Sequence, residues 1–135
     1  MPLALLYNRH DRSKLQALRF AFVKLGIRGR TVAPPEYGHP IGWLCGLEGY
    51  SPAPQPAEGS FSDEMLVLCG LSAPQLDALL NTLRLGHTGI ALKAVVTEEN
   101  AAWTSLRLHD EVRREHEAMR EMRAPKGGRR PPRRK

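Results

Sequence analysis

Apolar and polar positions alternate between two kinds of run along this chain. Short continuous apolar runs stand at "LALLY" (3–7), "EMLVLCG" (64–70) and "IALKAVVT" (90–97), with "GRTVA" (29–33) a weaker fourth. Runs of this length, bounded by turn residues, predict strands, and the continuous ones predict strands buried on both faces. Between them the period changes to three and four. Leu15, Leu18, Phe22 and Leu25 form one stripe, which predicts a helix over residues 12–25 with Asp11 as its cap and Gly26 as its stop. "SAPQLDALLNTLRLG" predicts a second helix. There Ser72 and Gln75 have the spacing of a capping box, Pro74 is tolerated in the first turn, and Gly86 ends the run. A third, longer helix is predicted from about residues 98–101 to 122, its second half closely mixed in charge and solvated.

The two halves echo one another. Leu5 and Leu66, Leu15 and Leu76, and Ala17 and Ala78 are each 61 positions apart, and both halves read strand–helix–strand. The proline- and glycine-rich stretch 34–63 lies between them, with a short helix predicted near 41–47 and an exposed connection at about 48–62. If that stretch is a crossover, the fold is α/β, a small open, mostly parallel four-stranded sheet with helices packed on it. If it is only a long hairpin loop, the order becomes ferredoxin-like, βαββαβ. Long structureless loops are uncommon in small domains, which favours the crossover.

A chain of 135 residues with 41% hydrophobic and 25% charged positions suits one soluble domain with a single core. No apolar run nears the ~20 residues of a membrane span, and the first residues lack the basic region of a signal peptide. Two cysteines without CxxC spacing predict neither a disulfide scaffold nor a metal site, so a cytoplasmic protein with reduced thiols and no cofactor is expected. The net charge of +6 is misleading as a whole. Arg123, Lys126, Arg129, Arg130, Arg133, Arg134 and Lys135 put seven cations and no acid into residues 123–135, leaving −1 on residues 1–122. The expectation is a folded body, 1–122, followed by a disordered basic tail with sequence-independent affinity for nucleic acid or another polyanion.

The block Leu92, Lys93, Ala94, Val95, Thr97, Asn100 and Trp103, preceded by Gly70, Leu71 and Ser72 and followed by Glu115 and His116, resembles a small bacterial family of domains of unknown function (DUF3783). The resemblance covers about residues 64–120 and implies no particular activity.

Three candidate chemistries remain. Cys69, at a strand end beside a helix start, has the placement of a lowered-pKa thiol, with His10 the nearest base if the sheet is parallel. The plainer reading packs Cys69 as a small apolar residue. A parallel sheet would also gather Asn8, Arg9, His10, Gly70, Ser72, Thr97, Asn100 and Trp103 into one crevice at the carboxyl ends of its strands, with two helix N-termini offering amides to an anion. Against this, capping alone explains the serine, threonine and asparagine. His109 and His116, seven apart, do not chelate as i, i+4 histidines would and read as isolated surface residues, while Trp43 and Trp103 read as core or loop anchors. The leading reading is a non-catalytic binding or regulatory module with an unidentified protein or small-molecule partner. Its rivals are a thiol-dependent enzyme and a small-anion binder.

Overall fold

The computed structural model describes residues 2–8, 12–85, 90 and 92–123. The expectations for Arg9, His10, the Asp11 cap, Gly86 and the basic run from Lys126 to Lys135 lie outside these residues.

In chain order the elements are β1 (Leu3–Tyr7), α1 (Arg12–Leu25), β2 (Arg28–Thr31), a 3-10 turn (Pro34–Gly38), α2 (Ile41–Leu44), β3 (Met65–Cys69), α3 (Ala73–Leu85), β4 (Leu92–Val95), a second 3-10 turn (Asn100–Ala102) and α4 (Ser105–Arg123). The strands form one mixed sheet in the order β2-β1-β3-β4. β1 pairs with β2 in parallel, and β3 with β4 in parallel. The central pair, β1 with β3, is antiparallel, from Leu3 opposite Cys69 to Tyr7 opposite Met65. The fold is therefore the α/β class predicted, with parallel outer pairings and an antiparallel seam. The ferredoxin-like alternative fails because β2 lies directly beside β1. The echo at 61 residues holds in the helices but not in the strands, where Leu5 and Leu66 face opposite sides of the sheet. Leu18 and Phe22 of α1 are buried, as are Leu79 and Leu83 of α3, one strand–helix–strand unit later.

The antiparallel seam follows from the course of residues 32–64. They leave the end of β2 and return to the start of β3 at the same edge of the sheet, whereas a parallel crossover would have carried the chain to the opposite edge. The stretch is not an exposed loop throughout. Tyr37, Ile41 and Leu44 are buried, and Ala57 and Phe61 are packed against them. Ile41 N–H donates to the Trp103 carbonyl at 2.8 Å, which ties the connection to the start of α4.

Strand alternation divides the core between two faces of the sheet. Ala4, Leu6, Leu66 and Leu68 pack under α1 and α3. Leu5, Tyr7, Met65 and Val67 pack under the 32–64 connection and the first half of α4, through Tyr37, Ile41, Leu108 and Val112. Beyond Val112, α4 is mostly exposed, as its charge pattern predicts.

Candidate functional site

The antiparallel seam divides the predicted crevice in two. β1 ends at the edge where β3 begins, so Asn8 lies at one edge of the sheet, while Gly70, Ser72, Thr97, Asn100 and Trp103 follow β3 and β4 at the other. The N-termini of α1 and α3 likewise sit at opposite edges. A single crevice served by two helix starts requires an all-parallel sheet, and that expectation is corrected here.

At the β3–β4 edge the polar side chains are occupied with the backbone. Ser72 and Gln75 close their capping box, the Ser72 amide donating to Gln75 Oε1 at 2.9 Å and the Gln75 amide to Ser72 Oγ at 3.2 Å. Thr97 and Asn100 make the same reciprocal pair, at 2.8 Å and 3.2 Å, and Asn100 Nδ2 also donates to the Val95 carbonyl at 3.0 Å. Gly70, at φ 76°, occupies the left-handed conformation that lets the chain turn from β3 into α3. Trp103 is half-buried against the core, with the Arg107 guanidinium 4.3 Å from its ring centroid. Trp43 is likewise packed on the core, so both tryptophans are anchors.

The opposite edge holds a denser assembly. Asn8 adopts φ 56°, a left-handed conformation that asparagine tolerates better than most residues. Its amide donates to the carbonyls of Phe61 (2.7 Å) and Asp63 (3.0 Å), and its Oδ1 accepts from the Tyr37 hydroxyl at 3.3 Å. The end of the 32–64 connection is thereby pinned to the end of β1. Phe61 stacks between Tyr37 (centroids 4.6 Å, 19° from parallel) and His109 (3.9 Å, 6°). His109 Nε2 meets Asp63 Oδ2 at 2.8 Å. His109 is 4% exposed, so its reading as a surface histidine is wrong. It lies on the stripe Ser105, Leu108, His109 and Val112, whose spacing of three and four marks the core face of α4. His116 is only partly buried and lines a 320 Å³ cavity with Asp63, Arg113 and Arg120.

Ser105, His109 and Asp63 are the residue types of a hydrolytic triad, but they are not connected as one. Ser105 is fully buried and its Oγ bonds the Tyr7 hydroxyl at 2.7 Å, while the His109 nitrogen that a nucleophile would need faces Asp63. Burial raises the Tyr7 phenol above its ordinary value, with the Ser105 bond opposing. These groups hold the connection and α4 together.

Cys69 ends β3 and is 6% exposed. Cys45, the residue that follows α2, is the other free cysteine and is partly exposed. Burial pushes the Cys45 thiol up to about 12, with Cys69 adding to the rise and Arg30 opposing it. A thiol so shifted is scarcely ionised at neutral pH, the reverse of an activated nucleophile. Among the described residues no cluster of three or more metal-ligating side chains occurs, and no helix is long and apolar enough to cross a membrane.

The second strand–helix–strand unit together with most of α4 defines the class of this part of the chain. Residues 64–119 match the family model described as Domain of unknown function (DUF3783). The resemblance carried by the 92–103 block therefore holds, and its polar members Thr97 and Asn100 are the reciprocal turn pair after β4. No curated protein matches the chain.

Proposed function

We propose that this chain is a non-catalytic binding or regulatory module of the bacterial cytoplasm. In this reading the body presents α4 outward, and the run that starts at Arg123 supplies sequence-independent affinity for polyanions such as RNA or DNA. The observation that carries it is the segregation of charge. Seven cations without an acid follow a body of net charge −1, and they begin on the last residue of a helix whose second half is already exposed. Cations concentrated this way neutralise phosphates and release counterions, which gives salt-dependent binding. The thiol-enzyme reading lacks the exposed sulfur it requires, since Cys69 is buried, and the Ser72 cap at the start of α3 is already engaged.

The test compares the full chain with a full-length variant in which all seven cations of residues 123–135 become glutamine. Both are titrated against labelled RNA and DNA over a salt series. The parent is expected to bind at low salt, with a log–log salt slope no steeper than about −6 on duplex DNA, and the variant to lose that binding. Equal binding by the two chains, or binding by neither at low salt, overturns the reading.

A further inference from the structure

The net charge of −1 on residues 1–122 hides a division within the fold. Residues 1–33 carry seven cations against one acid, Asp11, whereas residues 34–122 carry six cations against thirteen acids. The elements β1, α1 and β2 contain no acid at all, and α1 alone holds four cations. Leu18 and Phe22 of α1 are buried in the core. The face opposite them reads Arg12, Gln16, Arg19, Phe20 and Val23, spaced i, i+4, i+7, i+8 and i+11, and every one is exposed. Lys24 is also exposed and stands one turn beyond Phe20. Phe20 is 73% exposed and Val23 81%. Among the described residues Phe20 is the only exposed aromatic, the other seven being buried or partly buried. The one acid of the neighbouring α3, Asp77, lines a groove beside β4 with Arg84 and Lys93, at the far edge of the sheet from β2.

We propose that the outer face of α1 is a docking surface for single-stranded nucleic acid, with Phe20 stacking on an unpaired base and Arg12, Arg19 and Lys24 contacting phosphates. The inference rests on the polyanion reading above, in which the basic run supplies most of the affinity, and it adds a folded surface that selects single strands. Charge complementarity names the partner, because an acid-free helix inside an otherwise acidic body attracts a polyanion. The exposed ring narrows the choice. Every unpaired base offers a π-face to an aromatic side chain, whereas a duplex keeps its bases stacked on one another. Arg12 to Lys24 spans about 18 Å of helix, room for about five nucleotides at roughly 3.4 Å each. A lipid surface fits less well. An interfacial helix sinks a broad apolar stripe into the bilayer, and the broad stripe of α1 is already spent on the core.

The experiment titrates the full chain and its variants against labelled oligo(U), oligo(dT) and a DNA duplex of equal length at low salt. Phe20→Ala and Phe20→Leu are each expected to weaken single-strand binding about tenfold while leaving the duplex within about twofold. Phe20→Trp restores the ring and should restore the affinity. The double variant Arg12→Gln, Arg19→Gln should flatten the single-strand log–log salt slope by about 1.4. Loss on oligo(U) alone or on oligo(dT) alone tells whether RNA or DNA is the strand held. Phe20 is exposed, so these variants should unfold at the parent's denaturant midpoint. Single-strand binding unchanged in Phe20→Ala overturns the proposal, as does an equal loss on single strand and duplex. Anionic phospholipid vesicles that bind the parent but not Phe20→Ala, with single-strand binding intact, overturn it in favour of a membrane face. The two readings fail separately. If the glutamine variant of residues 123–135 loses binding while Phe20→Ala keeps it, the basic run stands and the α1 face falls. If that glutamine variant binds oligo(U) like the parent and Phe20→Ala does not, the α1 face stands alone.

Discussion

His109 lies flat against Phe61, ring centroids 3.9 Å apart and planes within 6° of parallel. This contact joins two segments distant in sequence, since Phe61 ends the irregular connection and His109 belongs to the core stripe of α4. Replacing Phe61 by alanine removes the middle ring of the Tyr37–Phe61–His109 stack and is expected to destabilise the fold by about 2–4 kcal/mol. Asp63→Asn breaks only the pair with His109, and because the Asp63 side chain is 49% exposed its cost should stay below about 1 kcal/mol. Denaturant unfolding of the two variants checks the ordering. An Asp63→Asn cost equal to that of Phe61→Ala would mean that charge, and not stacking, holds the connection.

Asn8 has two separable duties, its backbone conformation and its amide. Asn8→Ala loses both and is expected to cost about 2–4 kcal/mol, from left-handed strain and the loss of the two amide bonds to Phe61 and Asp63. Asn8→Gly relieves the strain but not the lost bonds, so it should fall about 1 kcal/mol closer to the parent. Equal losses in the two variants would show that φ at this position carries no penalty. Increased proteolysis between residues 45 and 63 in either variant would locate the loosened segment.

If the reciprocal pairs at the other edge are caps and turns, their loss is a matter of stability alone. Ser72→Ala should cost about 1 kcal/mol through the start of α3. Binding to RNA or DNA, measured at a temperature where both chains are folded, should not change. A loss of affinity with stability intact would instead make Ser72 part of a contact surface.

The elements were readable because each carries a local signal: apolar runs for β1 and β3, the three-and-four stripe of α1, the Ser72–Gln75 box before α3. The internal echo even announced the two strand–helix–strand units. The sense of the central strand pair had no such signal. It depends on which edge of the sheet residues 32–64 return to, and that is decided by Tyr37, Ile41 and Phe61 packing against α4, contacts between segments tens of residues apart. The predicted crevice inherited the error, because reversing one pairing sends Asn8 and Ser72 to opposite edges. The aromatic stack on His109 was hidden for the same reason. Only the position of His109 on the stripe with Leu108 and Val112 marked it as buried, and its partners Phe61 and Asp63 are invisible to any local pattern.

Glu36 supplies a pH test of the connection's other end. Its Oε1 accepts from the Ala33 amide at 3.0 Å and its Oε2 from Arg30 at 2.9 Å, and these contacts, the backbone bond first, hold its carboxyl below the ordinary carboxylate value. A group whose folded pKa is depressed contributes stability that is fully present above its unfolded value, about 4.3, and disappears as pH falls through the lower folded value. Glu36→Gln keeps an acceptor for the Ala33 amide but loses the charge opposite Arg30. The parent should therefore be the more stable at pH 7, by less than about 1 kcal/mol because both side chains are partly exposed. That advantage should narrow below about pH 4 and in high salt. Unfolding curves of the two chains from pH 7 down to pH 3 measure it. A difference that stays constant across that range would assign the effect of Glu36 to shape and hydrogen bonding, with no contribution from its ionisation.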